Sequence, residues 1–406
     1  MADSPVRAVD IVIVGGGIAG LAAAAALAGH GRSIAVLEAR DLPTLAAPSG
    51  SSPADYDARV SALTPRSIAF LERLGAWSAI DAVRQCAYTH MTVWDAEGTG
   101  RIEFDAGEVA AASLGSIVEN RLISAALADR VAQLGDVKLH VPARLAGIDR
   151  DAGGGTTVHL ESGECLHCGL LIAADGALSP TRELLGLRTR EWDYGHSAVV
   201  TTVACERPHE HTAWQRFLQS GPLALLPLAS PDDRLCSIVW SIDEDKVQPL
   251  LDLDDTEFCR ALGDASEHCL GAVTACAARR AFPLRQRHAV DYVLPGAALV
   301  GDAAHTIHPL AGQGINLGLA DVEVLAEEIA AALRRGLEPG RLDVLKRYQR
   351  RRKGDNLAMM AAMDGFKRLF EQEAPPLRWL RNTGMRGVAS LPALKRRIIR
   401  QAMGVS

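Results

Sequence analysis

The chain has 406 residues, 48% hydrophobic and 23% charged, with a formal net charge of −6. That is apolar material for a large core shared by two domains and an appendage, which excludes a disordered chain, and the acidic balance gives no reason to expect nucleic acid as a partner. Eight cysteines, at 86, 165, 168, 205, 236, 259, 269 and 276, lack the dense spacing of a disulfide-stapled secreted domain, so a reducing, cytoplasmic setting is expected.

Ile11 to Gly29 runs nineteen residues without a charge, close to the ~20 that a membrane-crossing helix needs. Gly15, Gly16, Gly17 and Gly20 divide it, however, into a β-branched run, Ile11 to Val14, and an alanine-rich helical run: a strand, a turn and a helix. Acidic Asp3 and Asp10 beside the single basic Arg7 argue against a signal peptide. Gly15, Gly17 and Gly20 match G-x-G-x-x-G. The first glycine permits the turn, the second admits a pyrophosphate to the backbone, and the third lets helix and strand pack closely. A second strand, Ser33 to Leu37, ends at Glu38, the distance expected of a ribose-binding carboxylate. Dinucleotide binding follows.

Two further apolar strands end at acids, the first of them in an Asp-Gly pair. Leu170 to Ala174 leads into Asp175-Gly176, followed by Ser179 and Arg182; Ala298 to Gly301 leads into Asp302 and then Pro309-Leu310-Ala311-Gly312-Gln313-Gly314-Ile315-Asn316. A helix expected from about Leu317 to Arg335 opens there, its positive end placed to stabilise negative charge on a bound group. Between these motifs, Met91 to Phe104 and Ala198 to Ile242 read as sheet, and the apolar Leu223 to Leu228 run reads equally as cavity lining or ordinary sheet core. Cys165-Leu166-His167-Cys168 has redox or metal half-site spacing, but no second C-x-x-C completes it, so it reads as small residues in a strand. His305 and His308 read as shaping a loop rather than as a base or ligand pair. No metal is expected.

On these residues the chain resembles the flavin-dependent aromatic hydroxylases of the p-hydroxybenzoate hydroxylase type. Within them it is most similar to the ubiquinone-biosynthesis branch, through His305-Thr306-Ile307-His308-Pro309 up to Gly318 and the late Leu380-Arg381-Asn382-Thr383-Gly384 with Leu394-Lys395-Arg396-Arg397. It departs at His308, where many relatives have asparagine, and at Ala320, where a basic residue is frequent. The resemblance implies an α/β fold: a Rossmann-like FAD-binding domain (three layers, parallel sheet) from 1–75, 105–185 and 280–340, an interleaved substrate-binding sheet domain from 76–104 and 186–279, and a C-terminal helical region, 341–406, with a basic tail. It implies tightly bound, non-covalent FAD and NAD(P)H as a transient co-substrate, in keeping with the lack of a second G-x-G-x-x-G. The implied FAD contacts are Gly15, Gly17, Ile18, Ala19 and Gly20; Glu38, Ala39 and Arg40; Arg59 and Asn120; Asp175; Asp302; and Pro309, Gly312, Gly314, Ile315 and Asn316. No side chain is implied as a catalytic group, because the flavin carries the chemistry: NAD(P)H reduces it, O2 adds, and the resulting hydroperoxyflavin hydroxylates an electron-rich phenol.

The expected reaction is therefore ring hydroxylation of a polyprenyl phenol in ubiquinone biosynthesis. Alternatives are a soluble aromatic hydroxylase of a small phenol or secondary metabolite, an FAD-binding scaffold without turnover, and an isoprenoid reductase on the same fold. After Glu373 no acidic residue occurs, while Arg378, Arg381, Arg386, Lys395, Arg396, Arg397 and Arg400 give the tail +7 of a total of −6, leaving −13 for the rest. Leu391, Leu394, Ile398 and Met403 are expected on one helical face with basic residues opposite. Such a face suits peripheral attachment to the inner face of a membrane or to a ubiquinone-synthesis complex; the other reading is a basic helix neutralising its own acidic body.

Overall fold

The computed structural model describes residues 6–46, 50–96, 98, 100–151, 153–306, 314–371, 384, 387, 388 and 390–404. A six-stranded sheet is built in the order Val293–Leu294, Ala297–Leu299, Leu170–Ala173, Ile11–Val14, Ile34–Leu37, Val137–His140, all parallel except the first pair. Ile11–Val14, Ile34–Leu37 and Leu170–Ala173 are buried along their whole length, as uninterrupted apolar runs in a parallel sheet covered on both faces should be. Helix Ile18–Leu27 covers one face and packs on helices Asn120–Ala132 and Gly314–Leu333. The nineteen uncharged residues therefore form a buried strand, a turn and a helix, and among the described residues no helix is long and apolar enough to cross a membrane.

A nine-stranded sheet forms the second layer system. Its path runs His305–Thr306, Arg280–Ala289, Thr189–Cys205, Leu235–Asp243, Gly221–Pro227, Thr212–Leu218, His90–Asp95, Arg101–Asp105, with Val273–Cys276 pairing at the side. Residues 280–289, grouped above with the FAD-binding segments, are hydrogen-bonded into this sheet. Strand alternation splits the Leu223 to Leu228 run. Leu223 and Leu225 join Trp240 and Phe258 in a core under the helices Glu244–Leu251 and Asp255–Ala265, while Ala224, Leu226 and Leu228 pack on the opposite side with Tyr56 and Ile117.

Several local expectations shift. The second strand starts at Ile34 rather than Ser33, because the backbone N–H and hydroxyl of Ser33 both donate to the Asp10 carboxylate. The helix expected from Leu317 starts a turn earlier, at Gly314, and ends at Leu333. Cys165 and Cys168 sit three apart on a strand, hence on opposite faces: Cys168 is buried, whereas Cys165 faces outward, 3.2 Å from His159 Nδ1. Ile399 of the tail helix Pro392–Ala402 and its C-cap Met403 dock against Ala106 and Leu114, and the Lys395 ammonium meets Glu108 at 2.5 Å. The expected single apolar face is thus divided, since Leu391 and Leu394 stay 55% and 41% exposed. Spacing by four (395, 399, 403) sets the docked side.

Candidate functional site

The glycine turn shows three separate jobs. Gly15 has φ +110°, and a Cβ there would lie 2.4 Å from the Ala174 carbonyl oxygen; one on Gly20 would lie 1.9 Å from the Gly15 carbonyl oxygen. These two positions therefore admit no side chain. A Cβ on Gly17 would meet nothing within 4 Å. Gly17 is the N-cap of helix Ile18–Leu27 and makes no side-chain cap, so the free N–H groups of that helix end face the same open space, a ready anion cradle. Half-buried Ile18 and Ala19 form its first turn.

Glu38 closes one side. Its carboxylate accepts the Gly16 N–H at 2.7 Å and the Arg40 N–H at 2.9 Å, which fixes it at the sheet's C-terminal rim with acceptor capacity left for ribose hydroxyls. Ala39 lies between them, and the Arg40 guanidinium is largely in solvent.

The turns bearing Asp175 and Asp302 are joined through Arg182. Its buried guanidinium donates to the Ala303 carbonyl at 2.9 Å and to the Ala177 carbonyl at 3.0 Å. Asp175 itself turns onto its own loop, accepting the Thr181 N–H at 2.9 Å and the Ser179 hydroxyl, and so supports the first turn of helix Pro180–Leu184, whose N-cap is Ser179. Asp302 behaves differently. It is exposed although Gly301 and Ala303 beside it are buried. The surrounding protein mass raises its carboxyl pKa, against the pull of His305 and Arg59.

Gly301 also approaches the first motif, since a Cβ there would meet Ala19 Cβ at 3.2 Å and Gly318 Cα at 3.7 Å. The glycine turn, the Asp302 turn and the first turns of helix Gly314–Leu333 therefore converge. Gly314 and half-buried Ile315 open that helix. Asn316 is buried and points away from the cleft: its amide donates to the Ala62 carbonyl at 2.8 Å and its oxygen accepts the Thr64 N–H at 3.0 Å. Its part is to fasten the helix to strand Val60–Leu63. Asn120, at the start of its helix, accepts the Ser61 hydroxyl at 2.7 Å, and its N–H donates to the Arg59 carbonyl at 2.9 Å. The Arg59 side chain is exposed, its Cζ 5.8 Å from the centre of the Phe282 ring. Pro309 and Gly312 lie outside the described residues, as do His308 and Leu380 to Thr383.

Sequence reading missed Asp321, Arg352 and Asn356, which meet in a buried cluster behind Asp302. The signal for Asp321 was a lone carboxylate between apolar Ala320 and Val322 of a helix. Arg352 was hidden in the run Arg350-Arg351-Arg352-Lys353, which resembles a solvated face. Among the described residues no group of three or more His, Cys, Asp or Glu is arranged to hold a metal.

This arrangement is that of a flavoprotein of the Rossmann-like class: a parallel sheet whose C-terminal rim offers an anion cradle, a ribose acceptor and an exposed acid on a turn packed against the same helix end. Residues 8–363 match the family model described as an FAD binding domain. The chain is 39% identical to the 3-demethoxyubiquinol 3-hydroxylase of Escherichia coli, over 98% of each chain, and 37% identical to the ubiquinone hydroxylase UbiL of Rhodospirillum rubrum, over 98% of this chain and 90% of that one. Among solved structures it is similar to pqsL, a probable FAD-dependent monooxygenase from Pseudomonas aeruginosa, with a TM-score of 0.77 and 22% identity over 94% of this chain and 100% of that one; this likeness bears on the fold alone. The chain belongs to the FAD-binding family of monooxygenases that includes these ubiquinone hydroxylases.

Proposed function

We propose that the chain is an FAD-dependent monooxygenase that hydroxylates the aromatic ring of a polyprenylated phenol in ubiquinone biosynthesis, using NAD(P)H and O2. The observation that carries this reading is the convergence of the Gly15–Gly20 turn, the Asp302 turn and the N-terminal end of helix Gly314–Leu333 on one cleft. Full-length similarity to two hydroxylases named for ubiquinone substrates supports the substrate class. When bound, FAD supplies the redox chemistry, accepting a hydride equivalent and spending it with O2 so that one oxygen atom enters the ring and the other leaves as water.

The chain's own residues bind and orient. The open N–H groups at Gly17 to Ala19 suit the pyrophosphate, Glu38 the adenosine ribose, and Asp302 the ribityl hydroxyls. The N-terminus of helix Gly314–Leu333 would lend positive potential to a flavin ring. Arg59, free of any ion pair among the described residues, offers an exposed cation beside Phe282. Segments 1–75, 105–185 and 280–340 are taken as the FAD-binding part and the interleaved sheet as the substrate wall, the strand Arg280–Ala289 serving both.

The exposed Leu391 and Leu394 with exposed Arg396, Arg397 and Arg400 suit peripheral contact with an anionic membrane surface, where a polyprenylated substrate resides. The decisive experiment is quinone analysis of a strain lacking the gene. An accumulated intermediate short of one hydroxyl, restored by the wild-type chain, is expected; unchanged quinone content would move the assignment to a soluble phenol.

A further inference from the structure

Behind Asp302 lies a polar cluster that the flavin reading does not use. Asp321, on helix Gly314–Leu333, is 0% exposed, and Asn356, His305 and Arg352 around it are 0%, 2% and 4% exposed. One carboxylate oxygen of Asp321 accepts the Gly301 N–H at 3.2 Å and meets His305 Nε2 at 2.5 Å. The other accepts Arg352 Nε at 2.8 Å and Asn356 Nδ2 at 3.1 Å. A second Arg352 nitrogen donates to the Asn356 oxygen at 2.8 Å, and Asn356 Nδ2 continues to the Tyr292 hydroxyl at 3.3 Å. Burial alone would raise the Asp321 carboxyl pKa; His305 and Arg352 outweigh it and leave it below the ordinary value.

The division of these four donors is informative. Gly301 and His305 begin and end the short segment that presents Asp302, so a single oxygen holds both ends of it. Arg352 and Asn356 come from the long helix Leu342–Glu371, which thereby reaches the cleft without touching it. Because a carboxylate only accepts, the His305 nitrogen facing it carries a proton, which fixes how that ring is presented.

We propose that Asp321 is a positioning residue for the cofactor site: it clamps the Gly301–His305 segment through its ends and so fixes Asp302 toward the cleft, with Arg352 and Asn356 holding the clamp from the long helix. The inference rests on the FAD reading of the cleft. In Asp321→Asn only one oxygen is left to accept, so whichever way the amide turns one pair of donors faces an NH2 group, and the negative charge that strengthens the contacts to Gly301 and His305 is lost. In Arg352→Lys the positive charge stays near Asp321 and the two contacts to the segment are untouched, although fork contacts to the long helix are lost.

FAD dissociation constants, the visible circular dichroism of the bound flavin and the urea midpoint of the apoprotein are to be measured for full-length wild type and both variants. Asp321→Asn is expected to weaken FAD by about tenfold or more, as loss of buried charge-assisted hydrogen bonds implies, and to alter the flavin dichroism. Arg352→Lys is expected to lower the urea midpoint while keeping FAD affinity within about threefold and the dichroism of wild type. FAD affinity that falls in step with stability across both variants would reduce the cluster to a fold element and overturn the proposal, as would unaltered FAD binding and dichroism in Asp321→Asn. Should Asp321→Asn fail to fold, the Arg352→Lys result still decides, because an equal loss of affinity and stability there sinks the clamp. Failure of the wild type to bind FAD would instead strike the cofactor reading itself.

Discussion

The Arg182 guanidinium donates to the Ala303 carbonyl at 2.9 Å from a position 3% exposed, so the turn after Asp175 and the turn bearing Asp302 are fixed to one another by a single side chain. Burial lowers the Arg182 pKa below the usual guanidinium value, yet the two carbonyl acceptors and the nearby Asp175 keep a charged donor in place.

Replacing Arg182 by methionine keeps much of the buried stem and removes both hydrogen bonds. The apoprotein should lose about 2–3 kcal/mol, since the buried Ala303 carbonyl and the half-buried Ala177 carbonyl both forfeit a charged donor. Urea unfolding of apoprotein checks this, and a midpoint equal to that of wild type would show the link to be dispensable.

The glycine turn yields a contrast between neighbours. Gly17→Ala introduces a Cβ into open space, so apoprotein stability should stay within about 0.5 kcal/mol of wild type while FAD affinity falls as the methyl group takes the pyrophosphate's room. Gly15→Ala combines φ +110° with a 2.4 Å approach to the Ala174 oxygen and should destabilise the apoprotein itself. Thermal melts with and without FAD separate the two; equal destabilisation by both would contradict the assignment of separate jobs.

His288 supplies a pH prediction. Buried beside Tyr292, its imidazole is pushed down by burial from 6.5 to about 4. A depressed histidine favours the neutral form in the folded state, so its contribution is intact above pH 6.5 and is lost as pH falls from 6.5 toward about 4, where the unfolded chain binds the proton first. The loss should reach about 1–3 kcal/mol. In His288→Gln the urea midpoint should vary less over that interval than in wild type, and parallel curves would assign the pH dependence elsewhere.

For the tail, deletion of residues 375–406 should abolish sedimentation with vesicles rich in anionic lipid, and Leu391→Asp with Leu394→Asp should weaken it without affecting the docked Ile399 and Met403. Sedimentation undiminished by either change would leave the basic helix as a neutralising cover for an acidic body.

The cleft's sequence-legible part is local. Ile11–Val14 reads as a buried strand because its side chains alone demand burial, and Gly15, Gly17 and Gly20 read as a phosphate turn because backbone approach is a property of a few consecutive residues. Asp175 and Asn316 were legible as members of motifs but not in their side-chain partners, since a carboxylate or amide is spent on whichever polar groups folding brings nearest: the Thr181 N–H and Ser179 hydroxyl for the first, the Ala62 carbonyl and Thr64 N–H for the second.

The amino-acid sequence by itself determined the order of strands, turns and helices around an FAD-type cradle and the family to which the chain belongs. Only tertiary structure decided which polar groups meet. The partners of Asp321 come from residues 301, 305, 352 and 356, and the docked side of the tail helix is chosen by Ala106, Leu114 and Glu108. Periodicity is written in neighbours along the chain, whereas the pairing of a buried charge depends on segments that only packing brings together.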